Sequence, residues 1–227
     1  MRKARQTPEG GLSGPAGVIF DMDGLMLDTE RPAVEAWVRA CRELGLDADA
    51  GIAVRTIGVD GPSNRAIMTE ALGADFPFEK IREVMRRFIM EEAERNGIGQ
   101  KPGLIPLLDH LAERGIPAAV ATSTARSTAE WKLEKGGLGG RFSVIICGDE
   151  ISRSKPAPDI FLKALDRLGL SAGDCLGFED SPAGIRALHA AGIRPVFIKD
   201  MVEPPEEVLA LVWRRLTRLD EAIGLIP

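Results

Sequence analysis

Residues 18–28 read VIFDMDGLMLD. An apolar run of strand character leads straight into two carboxylates one residue apart, Asp21 and Asp23, with glycine immediately after. Side chains two apart on an extended backbone project to the same side, so these acids repel each other. Such a pair calls for a neutralising cation or for a chemical use.

The apolar run Gly17–Phe20 has counterparts at 117–121, 143–147, 175–178 and 195–198. Helical patterning separates the later ones: LIPLLDHLAERG (104–115) precedes the second, TAEWKLEKGG (128–137) follows it, DIFLKALDRLG (159–169) follows the third and AGIRALHAAG (183–192) the fourth. Most of these segments close on glycine, as helix C-termini prefer. Alternating strand and helix predicts a parallel sheet covered on both faces.

One interval breaks the alternation. Between residues 29 and 97 there is no convincing strand, while Val34, Trp37, Val38, Cys41 and Leu44 recur at helical spacing, as do Ile81, Val84, Met85, Phe88 and Ile89. A third, shorter helix is expected over 64–72. The flanking segments TERP (29–32) and NGIGQKPG (96–103) have linker chemistry. The chain therefore divides into a loose tail (1–15), an α/β core (16–28 and 98–227) and an inserted helical unit (29–97).

With 44% hydrophobic residues in 227, the chain can bury a substantial core. Its net charge of −5 comes with no basic block, which argues against nucleic acid. The cysteines Cys41, Cys147 and Cys175 form no C-x-x-C pair and sit among apolar neighbours, the pattern of buried free thiols in a reducing cytoplasm. No apolar run reaches membrane-spanning length and no secretory h-region follows the tail. Nothing signals an oligomeric state.

In an open parallel sheet, ligands bind beyond the carboxyl ends of the strands. The residues there are Asp21 and Asp23; Thr122, Ser123 and Thr124; Asp149, Glu150 and, slightly later, Lys155; and Glu179, Asp180 and Ser181. Carboxylates converging on a small space favour a hard cation, and magnesium suits an all-oxygen set completed by water and a phosphate. A threonine hydroxyl and a lysine ammonium suit the phosphoryl group itself. One aspartate can serve as nucleophile and a neighbouring carboxylate as general acid and base. Each piece has an ordinary alternative: a D-x-D-G turn, a helix cap at 122–124, a solvated loop lysine, and an N-cap at Asp180–Ser181 ahead of Pro182. Their order after successive strands is what those alternatives leave unexplained.

The motifs FDMDG (20–24), VATST (120–124), SKPAPDIF (154–161) and GFEDSPAGI (177–185) together make the chain resemble the haloacid dehalogenase superfamily, in its β-phosphoglucomutase-like phosphatase branch. The resemblance implies an α/β, Rossmann-like parallel sheet core with helices on both faces plus an inserted all-α cap domain that closes over the site. It implies a magnesium-dependent hydrolase of a small phosphomonoester, a sugar phosphate or nucleotide-like metabolite, acting through an aspartyl-phosphate. Asp21 would be the nucleophile and Asp23 the acid/base, with Thr122, Ser123 and Lys155 on the phosphate. Magnesium would sit on Asp21, the Asp23 carbonyl and Asp180, with Glu179 joining directly or through water. ERPAVEAW (30–37) lacks the histidine, and GVDGPS (58–63) the arginine, typical of the mutases, so hydrolysis is favoured over phosphosugar transfer. A non-catalytic phospho-acceptor module is the reading from another class. Specificity is expected in the helical unit, at Trp37, Gly58, Asn64 and Arg65.

Overall fold

The computed structural model describes residues 14–46, 49–57 and 61–227. The predicted tail lies almost wholly outside them, as does Gly58. Strand β1 (Gly17–Phe20) runs into a helical unit, α1 (Glu30–Glu43), α2 (Ala50–Val54), α3 (Gly61–Leu72) and α4 (Phe78–Asn96). Then follow α5 (Leu104–Glu113), β2 (Ala118–Ala121), α6 (Arg126–Lys135), β3 (Val144–Ile146), α7 (Asp159–Leu168), β4 (Cys175–Glu179), α8 (Pro182–Ala190), β5 (Arg194–Ile198), α9 (Glu206–Leu209) and β6 (Arg214–Leu216).

The strands form one parallel sheet in the order β3-β2-β1-β4-β5-β6. The chain fills the β2 side of β1 first and then crosses to begin again with β4. The crevice beside the end of β1 is thus the switch point where such sheets bind ligands.

Strand alternation divides the core in two. Val18, Phe20, Val120, Leu176 and Phe178 face α5 and α6, packing with Leu104, Leu107, Leu111 and Leu133. Ile19, Ala119, Ala121 and Ile146 face the other way, onto Ile160 and Phe161 of α7 and Ala187 and Leu188 of α8. Phe20 and Phe178, paired across β1 and β4, stack with ring centroids 5.0 Å apart. Burial on both faces is why these strands read as continuous apolar runs.

The helical unit has a core of its own. Trp37, Ala40 and Cys41 of α1 pack with Ala53, Met68, Ile81 and Val84. Helix α3 starts ahead of the expected 64–72, and α2 and β6 fall in segments for which no element was expected. Two passages join this unit to the sheet, and both are fastened to one carboxylate. Asp200, just past β5, takes Lys101 at 2.6 Å and Arg31 at 3.0 Å on Oδ1, while its buried Oδ2 has no hydrogen-bond partner among the described residues.

Candidate active site

β1 delivers Asp21 to the end of the sheet, where its side chain is largely buried and Lys155 Nζ lies 2.5 Å from Oδ1. The same ammonium donates to Glu179 Oε1 at 2.6 Å and to the Ala121 carbonyl at 3.0 Å, and sits 4.9 Å from the centre of the Phe161 ring. Burial works against the charge on Lys155, but Asp21 and Glu179 outweigh it and raise its pKa. A lysine that the sequence allowed to be solvated is therefore a buried cation shared by two acids.

Glu179 is fully engaged. Its second oxygen, Oε2, accepts from the Asp180 and Ser181 amides at 3.1 Å each and from the Ser181 hydroxyl at 2.9 Å. Ser181 is in turn the N-cap of α8, accepting from the Gly184 amide at 3.0 Å with Pro182 in the first turn. A Cβ at position 184 would lie 1.7 Å from Glu179 Oε1, so this turn requires glycine. Glu179 orients Lys155 and the turn that presents Asp180.

Asp180 differs. Among the described residues its carboxylate takes part in no hydrogen bond or ion pair, although it is buried and its oxygen lies within 4.8 Å of those of Asp21 and Glu179. Gly24, at φ +79°, lets the chain pass there, since a Cβ would meet Asp180 Oδ2 at 2.3 Å. Burial first, then Glu179 and Asp21, push the Asp180 carboxyl well above the ordinary carboxylate range. Burial likewise pushes Asp21 up to about 7, against the pull of Lys155. Buried, under-neutralised oxygens with no soft donor among them fit a hard divalent cation, and Asp180 has the freer carboxylate of the acidic pair.

Asp23 stands apart from this cluster, and the expected repulsion from Asp21 is a minor influence beside burial, Lys155 and Glu179. It has its own lysine: Lys132 of α6 lies 2.6 Å from Oδ1. Thr29 donates to Oδ1 at 2.9 Å and Thr124 to Oδ2 at 2.7 Å. Burial alone would raise the Asp23 pKa, yet Lys132 and the two hydroxyls hold it below the usual range.

The hydroxyls of the second motif do not cap α6. That helix has no side-chain N-cap, and the Arg126 amide donates instead to Asp149 at 3.0 Å. Thr122 is buried, its Oγ1 accepting from the Thr124 amide at 3.1 Å, and Ser123 is exposed at the rim. These groups line a cavity of about 500 Å³ between the sheet edge and the helical unit, shared by Asp21, Asp23, Thr122, Ser123, Lys132, Lys155 and Asp180 from below and by Glu30, Ala33, Ile89 and Glu92 from above. Burial and then Asp23 push the Glu30 carboxyl up to about 7.

Of the residues expected to set specificity, the three that are described do not line this cavity. Trp37 is buried in the core of the helical unit and, with Asn64, borders a second cavity of about 190 Å³. Arg65 is exposed, paired with Glu79 at 2.7 Å and laid over Phe78, so it bridges α3 and α4 rather than lining the main cavity. Conversely, Lys132 and Glu30 escaped the sequence reading. A signal for Lys132 exists: Ala129, Lys132, Leu133 and Gly136 are spaced as one helix face, which sets a lysine within the apolar stripe.

Comparison with known proteins shows the family of the chain. A family model described as haloacid dehalogenase-like hydrolase matches residues 18–198. Protein CbbY of Cupriavidus necator is 36% identical over 194 residues, covering 79% of this chain and 76% of its own. The phosphorylated carbohydrates phosphatase of Thermotoga maritima is 32% identical, covering 79% and 83%. The crystal structure of CbbY from Rhodobacter sphaeroides in complex with phosphate aligns with a TM-score of 0.76 at 25% identity, covering 92% and 96%. On the extent of these matches, the chain belongs to the haloacid dehalogenase-like hydrolase family.

Proposed function

We propose that this protein is a magnesium-dependent phosphatase of small phosphorylated carbohydrates, working through a phosphorylated Asp21. The observation that carries the reading is the shared cation: Lys155 holds Asp21 at 2.5 Å and Glu179 at 2.6 Å beside Asp180, whose carboxylate has no partner among the described residues. The named activity of the Thermotoga maritima relative supports the substrate class.

In this reading Asp23 takes up a proton as the negative phosphate enters beside it; an Asp21 oxygen then attacks phosphorus while the bond to the leaving oxygen breaks, and Asp23 gives that oxygen its proton. Water then attacks the phosphoryl group on Asp21, Asp23 takes the proton, and Asp21 is released. Lys155 and the Thr122 hydroxyl hold the phosphoryl oxygens, with Ser123 at the rim. Asp21, Asp180 and the Asp23 carbonyl, with Glu179 behind them, would hold magnesium, which would supply positive charge against the buried acids and the phosphate. Residues 29–97 act as a cap that excludes water and meets the leaving group, while 16–28 and 98–227 form the catalytic core. The cavity lining includes no arginine or histidine among the described residues, which favours water over a second sugar phosphate as acceptor.

The test is a panel of phosphorylated metabolites with magnesium, read as kcat/KM, run beside Asp21→Asn. The variant is expected to lose turnover by ~10³-fold or more, as nucleophile removals do. Turnover at the unmodified rate would refute the covalent route.

A further inference from the structure

We propose that Lys132 is the positioning residue that aims Asp23 at the leaving group, an inference that rests on the phosphatase reading above. Asp23 receives donors from three separate elements: Lys132 on α6, Thr124 after β2 and Thr29 ahead of α1. The terminal torsion of an aspartate is intrinsically broad, so its direction is set by what grips the two oxygens. Of these grips only the ammonium brings a full positive charge of its own, so it attracts the carboxylate as well as donating to it. Its side chain is only 17% exposed and lines the main cavity, and Asp23 is its one ion-pair partner among the described residues. The two cavity lysines thus divide the acids between them. Lys155 serves Asp21 and Glu179, and Lys132 serves Asp23.

The consequence depends on the leaving group. When Asp21 forms its bond to phosphorus, the electron pair of the breaking bond goes to the leaving oxygen. A sugar or polyol oxygen is too basic to depart as an anion, so the Asp23 proton must reach it in the same step. A p-nitrophenolate departs without that proton. Misdirecting Asp23 therefore slows transfer from alkyl phosphates and spares transfer from aryl phosphates, whereas damage to the fold or to phosphate binding slows both.

The experiment uses the full chain with magnesium, as Lys132→Met, Lys132→Gln and Lys132→Arg. Single-turnover release of the alcohol is measured from p-nitrophenyl phosphate and from the alkyl phosphate turned over fastest in the metabolite panel. Lys132→Met and Lys132→Gln are expected to slow alkyl transfer about tenfold or more, within the range general acids contribute, with aryl transfer changed about twofold at most. Lys132→Arg, which keeps the charge, is expected to recover most of the alkyl rate, and KM to move little in all three. Equal losses on both esters, a rise in KM with kcat intact, faster alkyl transfer or no change would each overturn the proposal. If Lys132→Met fails to fold, Lys132→Gln and Lys132→Arg carry the same comparison. Should the unmodified protein turn over neither ester, the phosphatase reading fails and takes this inference with it.

Discussion

The sheet edge and the helical unit spend their charged residues in opposite ways. At the sheet edge Asp21, Thr122, Lys155, Glu179 and Asp180 are buried, and Lys155 alone makes three hydrogen bonds. In α1 to α4 the interior is apolar, and the charges lie outside in pairs such as Arg65–Glu79 and Arg87–Glu43, with side chains 41–68% exposed. Buried polar groups are expensive unless fully paired, whereas exposed ion pairs contribute little either way. The comparison teaches that the core holds chemistry against its own stability, while the helical unit is built as an ordinary folded body that offers a surface.

Removing the proposed magnesium should break that contrast most severely. With a chelator present, turnover is expected to fall at least ~100-fold, in keeping with the several kcal/mol a metal contributes to such a transition state, and to return when magnesium is added. A chelator-insensitive enzyme would mean that Asp21 and Asp180 need no cation. Next in size, Phe20→Ala removes a ring stacked at the centre of the sheet and should cost about 3–5 kcal/mol in denaturant unfolding.

A smaller effect belongs to Glu30, which joins the two regions. Its carboxyl is raised from 4.5 to about 7 in the folded chain, so the folded state binds the proton more tightly than the unfolded one. The stability this contributes is complete below pH 4.5 and is lost as pH rises through about 7. Glu30→Gln should accordingly raise Tm at pH 8 by about 2–4 °C for each kcal/mol recovered and leave Tm at pH 4 nearly unchanged. Equal shifts at both pH values would point to packing instead. Smallest of all, Arg65→Ala should alter stability by less than about 1 kcal/mol and leave kcat/KM unchanged, because its pair with Glu79 is exposed. A large rise in KM would return Arg65 to the specificity residues.

The legible parts of the fold are those where burial and chemistry agree along the chain. β1 could be read because Gly17–Phe20 is buried throughout and ends on two acids. β6 could not, because Arg214 and Arg215 are exposed at the sheet edge, where only one side needs pairing and charge guards the other. The five residues of α2 are too few to show a helical period. At the site, the residues at strand ends were legible from topology alone. Lys132 was not, since a lysine inside a helix reads as solvated until the apolar residues on either side of it are seen to be buried. Trp37 was expected among the specificity residues, but it is buried with Ala40, Cys41, Met68, Ile81 and Val84 inside the helical unit.

The clamp at Asp200 gives the junction between sheet and helices a mechanical character. Arg31 lies just inside α1 and Lys101 between α4 and α5, so both passages converge on one buried oxygen whose companion has no partner among the described residues. A swing of the helices that drew both cations away would strand a carboxylate in surroundings that neither water nor dissolved salt reaches readily. The junction therefore resists motion that draws both cations away from Asp200, and the two passages are tied at one point.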